Sequence, residues 1–434
     1  MNTVNYKHID YVNYLNQNFN NFLLKLKDYN NDFIVNVKKD AIRNFNNYYF
    51  PNNKVEDWKY IPVDSILQNK YVPLRTLSER PIKTKIDFYT KENTLVLSNG
   101  KIIENTINNK KITLKSLDTA IISDFAELEA NYSKYSTIDN GFSALNVAFS
   151  LDGIFLKVPN KTVVEDVLNF VFITGSDSEN IYSPIRNFIT IGDNCEVSLF
   201  FYYSGDTTKA YLNSVYNNII IGKNSFVKIY EIDDEDVQSY HINKTQIRAN
   251  KGSEITHYRF SLGGKLLRND TNVIMDGQEV TANLYGVVVA KDKELYDNHT
   301  LIDHALPNCY SNEVYKSVLN GQAKNVFNGK IIVRKDAQKT NAYQQNKNLL
   351  ISNDAVVNAK PQLEIFADDV KCTHGATVGQ LDKDGLFYLL SRGIDRNLAT
   401  QIMIHAFISE IFEEIKHDNI IEYLSKKVNN KLNL

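Results

Sequence analysis

The chain has 434 residues, 43% of them hydrophobic, and carries 49 Lys and Arg against 51 Asp and Glu. That is ample material for a core, with no basic excess to condense on phosphate, so neither nucleic acid nor an anionic membrane is an expected partner. The opening Met1-Asn2-Thr3-Val4-Asn5-Tyr6-Lys7-His8 has no apolar h-region, and no stretch reaches the roughly 18 unbroken apolar residues of a membrane span, which points to a soluble cytoplasmic protein. Cys195, Cys309 and Cys372 are too few and too scattered for a disulfide framework or a C-x-x-C knuckle, as suits a reducing compartment.

Between Tyr11 and Tyr49, Phe19, Phe22, Leu23 and Leu26 recur at helical spacing, and the break near Asn30 to Asp32 predicts two helices. Next comes Glu56-Asp57-Trp58-Lys59-Tyr60, whose Trp58 is the single tryptophan and is expected to anchor the helical cap on the following domain. From about Leu95 the texture changes to short β-rich runs, such as Asn187 to Ile191, Ser198 to Tyr202, Asn218 to Ile221, Val280 to Leu284 and Lys330 to Val333. No proline falls between Pro184 and Pro307, which leaves backbone N–H groups free for long ladders.

The β runs are punctuated by small turns: Gly192-Asp193-Asn194, Gly222-Lys223-Asn224, Lys251-Gly252-Ser253, Lys291-Asp292-Lys293, Pro307-Asn308, Gly321-Gln322 and Lys335-Asp336. Their separations, 308 − 292 = 16, 322 − 308 = 14, 336 − 322 = 14 and 223 − 193 = 30, read as a coil period with one turn unmarked in the longest. Asparagine supplies the left-handed turn conformation that glycine would otherwise provide. The pattern predicts a β-solenoid; hairpin dipeptides are too sparse to favour a sandwich. After Pro361, Gly385 to Gly393 reads as a short helix closed by glycine. Asp395 then caps a longer helix through Leu398, Ile402, Ala406 and Phe407 to about Ile415, and a last helix starts at Asp418. The expected organisation is a helical region over 1–94, a solenoid over 95–366 and a helical region over 367–434.

Several chemistries are excluded by absence. There is no G-x-x-x-x-G-K-[ST] loop, no strand-linked G-x-G-x-x-G and no H-E-x-x-H, so the chain is not expected to hydrolyse ATP or to act as an enzyme alone. The acidic run Glu231, Asp233, Asp234, Glu235 and Asp236 matches no EF-hand spacing and is expected to be a solvated loop. His299, His304 and Cys309 are expected to fall on different faces of the solenoid, in turn and core roles.

The densest polar constellation is Asp368-Asp369-Val370-Lys371-Cys372-Thr373-His374-Gly375-Ala376-Thr377-Val378-Gly379-Gln380. Together with Pro361 to Phe366 before it and Leu386 to Ile394 after it, this run resembles the C-terminal signature of the SufB/SufD family of the Suf iron–sulfur cluster assembly machine. The likeness extends to Gln345 to Leu350, Val326 to Lys330, His304 and the segment around Trp58. His374-Gly375-Ala376, where SufB carries His-Glu-Ala, favours the SufD branch.

The resemblance implies a right-handed parallel β-helix, mainly β, flanked by helices. It also implies a scaffold that pairs with SufB through the β-helix, binds the ATPase SufC through its C-terminal helical region, and uses ATP only through SufC. A SufD–SufD pair is a further possibility the sequence leaves open. By motif, His374 is the expected donor to a nascent iron–sulfur cluster shared with SufB. Cys372, two residues before it, shares its face if the segment is extended, and there a packed thiol and a ligand are equally compatible with the sequence. The expected SufC-docking surface is Ser391, Arg392, Gly393 and Ile394 with Leu398 and Ile402 on the helix that follows. A reduced flavin is associated with such complexes. The residues themselves supply one independent constraint. Clusters want about four soft ligands, and cysteines separated by 309 − 195 = 114 and 372 − 309 = 63 residues equip the chain poorly to hold a cluster alone. The alternatives carried forward are a parallel β-helix carbohydrate lyase or esterase and a purely structural, self-pairing β-helix.

Overall fold

The computed structural model describes residues 8–26, 31–76, 88–124, 126–130, 137–205 and 208–432; Met1 to Lys7 and Asn30 lie outside them. Two long parallel sheets, built from alternate strands of one continuous coil, face each other across a filled lumen. The first sheet starts on Thr113–Ser116, antiparallel to Ile154–Val158, and runs through Ile181–Ile191, Tyr211–Ile221, Ser239–Ala249, Leu266–Met275 and Leu295–His304 to Lys324–Val333, and ends on Val356–Ala359 and Gln362–Ile365. The second starts on Lys101–Asn105, antiparallel to Thr94–Ser98, and runs through Leu168–Thr174, Glu196–Gly205, Phe226–Asp234, Glu254–Gly263, Thr281–Ala290, Tyr310–Leu319 and Asn341–Leu350 to Lys371–Gln380. The result is a solenoid of about eight turns. Its second sheet continues past residue 366, where the sequence reading closed the core, because Lys371–Gln380 pairs in register with Asn341–Leu350.

The pairing corrects the repeat length. Ile181 is in register with Tyr211, 211 − 181 = 30 residues on, and Tyr211 with Ser239, 239 − 211 = 28 residues on. Each coil therefore contains two strands and two corners, and the separations of 14 to 16 residues in the sequence mark half a coil. The corners are built as composition suggests: Asn194, Asn224, Gly252, Asp292, Asn308 and Gly321 all have positive φ. Small residues that tolerate the left-handed region let successive corners stack.

Both outer faces are covered, each by one end of the chain. Helices Ile9–Leu26, Asp32–Tyr48 and Gly141–Phe149 bury Phe19, Phe22, Phe45 and Phe149 against Tyr182, Leu212 and Tyr240 on the outside of the first sheet. The caps are local: Asn31 accepts from the Ile34 N–H, and Asn140 forms a capping box with Ser143. Trp58 is buried, stacks on Phe142 with ring centroids 5.2 Å apart, and lies under the Arg268 guanidinium at 5.0 Å, so it anchors the helical cap as expected. The helices Arg396–Glu413 and Asp418–Leu432 cover the second sheet, packing Ile404, Ile408, Ile411 and Leu424 on Phe200, Tyr230, Tyr258 and Phe260. Tyr230 and Tyr258 stack at 4.8 Å, and the Tyr258 hydroxyl donates to the Glu414 carbonyl at 2.7 Å. Sheets buried on both sides explain why the strands read as nearly continuous apolar runs.

Trp58→Ala should destabilise the protein by about 3 kcal/mol in urea unfolding, from lost burial and stacking, with Trp58→Phe less affected.

Candidate functional site

Parallel coils hydrogen-bond only to their neighbours, so the last coil has an unpaired side. In the second sheet that side belongs to Lys371–Gln380, where every residue except Cys372 is exposed. Among the described residues no strand pairs with its outer edge. The Lys371 N–H donates inward to the Thr340 carbonyl. Alternation along a strand therefore turns the backbone groups of Cys372, His374, Ala376 and Val378 toward the open edge. Val378, Ile365 and Phe366 add exposed apolar surface at the same end.

Side chains follow the other alternation. Cys372 packs against the apolar cluster that fills the lumen, so His374, two residues on, shares its inward face at the mouth of the solenoid. Extended structure thus brings the two predicted donors together. Of the three cysteines, Cys372 alone is not buried. Burial still pushes its thiol above the ordinary value, partly offset by a hydrogen bond with the Ala342 backbone, so it rests as a thiol that an arriving metal would have to deprotonate. Cys195 and Cys309 sit in corners and donate to the Pro159 and Gly277 carbonyls at 3.1 and 3.4 Å. His304 is buried in the lumen with Nε2 2.9 Å from Ser311 Oγ, whereas His299 lies on the outer face, 2.9 Å from Asp297. The two histidines fall on opposite faces, as the sequence suggested. Among the described residues no group of three or more His, Cys, Asp or Glu side chains could hold a metal ion.

The predicted docking corner forms as a tight helix junction. Asp382 caps Lys383–Ser391, Gly393 closes it with φ +82°, and the Asp395 side chain accepts from the Asn397 N–H to start the next helix. Ser391, Arg392 and Gly393 are exposed and Ile394 is half-buried. Leu398 and Ile402 are 50% and 42% exposed, on the side of their helix away from the buried Ile404, Ile408 and Ile411. Phe387 and Tyr388, 71% and 57% exposed, extend the same junction and were missing from the expected docking residues. Their signal was present in the unbroken apolar run Leu386 to Leu390, too apolar for a short helix with one covered face.

The acidic run is the clearest correction. Glu231 and Asp233 point into the lumen and are completely buried, and Glu235 nearly so. Glu231 accepts from Asn217 at 2.6 Å and Thr245 at 2.7 Å, lies 3.1 Å from His257 Nε2, and is paired with Arg259. Asp233 accepts from Asn269 at 2.9 Å, and Glu235 accepts from Tyr211 at 2.6 Å and lies 2.8 Å from His241 Nδ1. Asp234 faces outward and meets Lys427 at 2.7 Å. Glu231 to Asp234 are strand, and only Glu235 and Asp236 lie in the corner beyond it, because alternate charges have buried partners on facing strands. Burial pushes the Asp233 carboxyl up to about 6, although His241 and Asn269 pull the other way. Burial opposes a charged His241, but Asp233 and Glu235 outweigh it and hold the imidazole above its ordinary value. Burial drives His257 down to about 3, so it is neutral.

Residues 8–170 match the SufBD protein N-terminal region, and residues 172–407 match the SUF system FeS cluster assembly, SufBD core domain. The chain belongs to the SufBD family. It is 29% identical over 398 residues to an iron–sulfur cluster assembly SufBD family protein of Synechocystis sp., covering 88% of this chain and 87% of that one. It is 25% identical to the iron–sulfur cluster assembly protein SufD of Escherichia coli, with 88% and 89% coverage, and 28% identical to the chloroplastic protein ABCI7 of Arabidopsis thaliana, with 86% and 80%. The chain is thus a SufD-like SufBD protein of iron–sulfur cluster assembly. No helix among its described residues is long and apolar enough to cross a membrane.

For this SufBD protein the buried carboxyl gives a pH signature. Asp233 titrates near 3.8 when unfolded and near 6 when folded, so its bound proton stabilises the fold at low pH and that contribution is lost as pH rises through 6. Compared with Asp233→Asn, which stays neutral, the wild type should lose about 3 kcal/mol of unfolding free energy between about pH 4 and pH 7.

Proposed function

We propose that the chain is a scaffold subunit of the Suf machine, catalysing no reaction alone and working in the cytoplasm. It pairs with SufB across the open end of its solenoid, contributes His374 to a nascent iron–sulfur cluster at the shared seam, and docks the ATPase SufC on its C-terminal helix junction. The observation that carries the reading is the exposed terminal strand Lys371–Gln380, which presents unpaired backbone groups and the inward pair Cys372 and His374 at one mouth. Unpaired strand edges invite strand addition, and a second copy of this chain competes for the same edge as SufB.

The cluster is cargo in this reading. A chain offering one histidine and one half-buried thiol satisfies half of a four-ligand site, so the remaining donors come from the partner. An incompletely ligated cluster is also easier to release to an acceptor. ATP enters only through SufC, whose movement on the helix junction would be transmitted to the seam by the helix Arg396–Glu413. That helix is tied to the second sheet by Lys316, whose Nζ donates to the Phe407 carbonyl and pairs with Glu410, both at 2.6 Å. The reduced flavin has no fitting cradle in the cleft beside Trp58, because the cations there, Arg268, Lys244 and Lys330, are already paired with Asp270 and Asp297, Asp139, and Glu364. No step is assigned to it.

Two experiments test the reading. His374→Ala should leave the complex with SufB and SufC intact while lowering anaerobic cluster yield about tenfold or more; wild-type yield removes His374 from the site. Leu398→Asp with Ile402→Asp should weaken capture of SufC about tenfold or more while SufB pairing persists; undiminished capture removes the docking surface.

A further inference from the structure

One row of the inner face of the second sheet runs straight back from His374. His374 is in register with Gln344 on the adjacent strand, and Gln344 with Glu313 on the next. Gln344 and Glu313 are completely buried. Gln344 Nε2 donates to Glu313 Oε2 at 2.8 Å, while Gln344 Oε1 has no hydrogen-bond partner. Across the lumen, Gly329 leaves the space the amide needs: a Cβ there would come within 2.4 Å of Gln344 Nε2. The ionised Glu313 has only acceptor oxygens, so it clamps the amide by its nitrogen end. A buried carbonyl oxygen without a partner is unfavourable by about 1–3 kcal/mol, so the orientation needs a reason. The neighbour on the mouth side is one strand spacing of about 4.8 Å away, and it is His374, which has no hydrogen-bond partner among the described residues.

We propose that Gln344 is a positioning residue for His374. Rotation of the exposed imidazole toward the lumen brings one ring N–H onto Gln344 Oε1, which fixes the tautomer and turns the lone pair of the other nitrogen toward the seam. A histidine that binds metal needs that division of labour between its two nitrogens. Glu313 acts through Gln344 by selecting the amide orientation, and Gly329 by making room for it. The proposal rests on the reading of His374 as a cluster donor, but the contact itself belongs to the metal-free chain.

The test therefore uses the full chain without iron. Its histidines are labelled with ¹⁵N, the His374 signals are assigned from their loss in His374→Ala, and tautomers are read at a pH where the ring is neutral. Wild type should hold His374 predominantly in one tautomer. Gln344→Met, which keeps the shape but removes the acceptor, should shift the tautomer ratio about fivefold toward that of a free imidazole. Glu313→Gln, which lets the amide turn over, should shift it in the same direction by less, and decides the matter if Gln344→Met does not fold. An unchanged ratio in the folded variants overturns the proposal. Normal cluster yield in His374→Ala alongside the tautomer shift would instead remove the donor role and leave the contact standing.

Discussion

A parallel solenoid satisfies its backbone one coil at a time, and this fixes where its chemistry can sit. Every strand between the ends is paired on both sides, and both outer faces are buried under helices from opposite ends of the chain. The unpaired backbone is thereby left to the two ends of the coil: the antiparallel strands Lys101–Asn105 and Thr113–Ser116 close one end, and at the other Lys371–Gln380 extends the parallel ladder and is almost wholly exposed. In the proposed pairing, two chains would join there edge to edge and seal two lumens against each other. Cys372 and His374 sit at that mouth because strand alternation turns their side chains inward while their backbone groups face the open edge.

The lumen behind the mouth is not uniformly apolar. Glu231, Asp233, Glu235, His241, His257 and Arg259 form a buried network in the middle of the solenoid. Buried ion pairs of this kind seldom add stability over an apolar core, and removing one partner strands the other. What such a network does impose is register, since a slipped strand would leave several charges unpaired. Nearer the mouth, Glu313 and Gln344 continue the polar lining on the same inner face as His374.

The sequence was most informative where local chemistry decides structure. Asn194, Asn224, Gly252 and Asn308 marked corners because left-handed backbone is a local requirement. Asp382 and Asp395 marked helix starts, and Trp58 its own packing role. It was least informative where a distant strand decides. Glu231 and Asp233 share the inward parity of Val227 and Ile229, but charges are admitted there only because Arg259, His241 and Asn269 arrive on other strands. The coil length was misread by half because both corners of a coil use the same small residues. In the candidate site, His374 and Cys372 were singled out through their motif, and Leu398 and Ile402 through the family resemblance. Gln344 was not, because its significance lies in cross-strand register and an unpartnered oxygen.

The central claim is that the terminal strand is a pairing edge, and amide hydrogen exchange tests it most directly. In the isolated chain the N–H groups of Cys372, His374, Ala376 and Val378 should exchange quickly, and in complex with SufB they should slow by orders of magnitude. Equal exchange in the two states, with the complex verified as intact, would contradict the account.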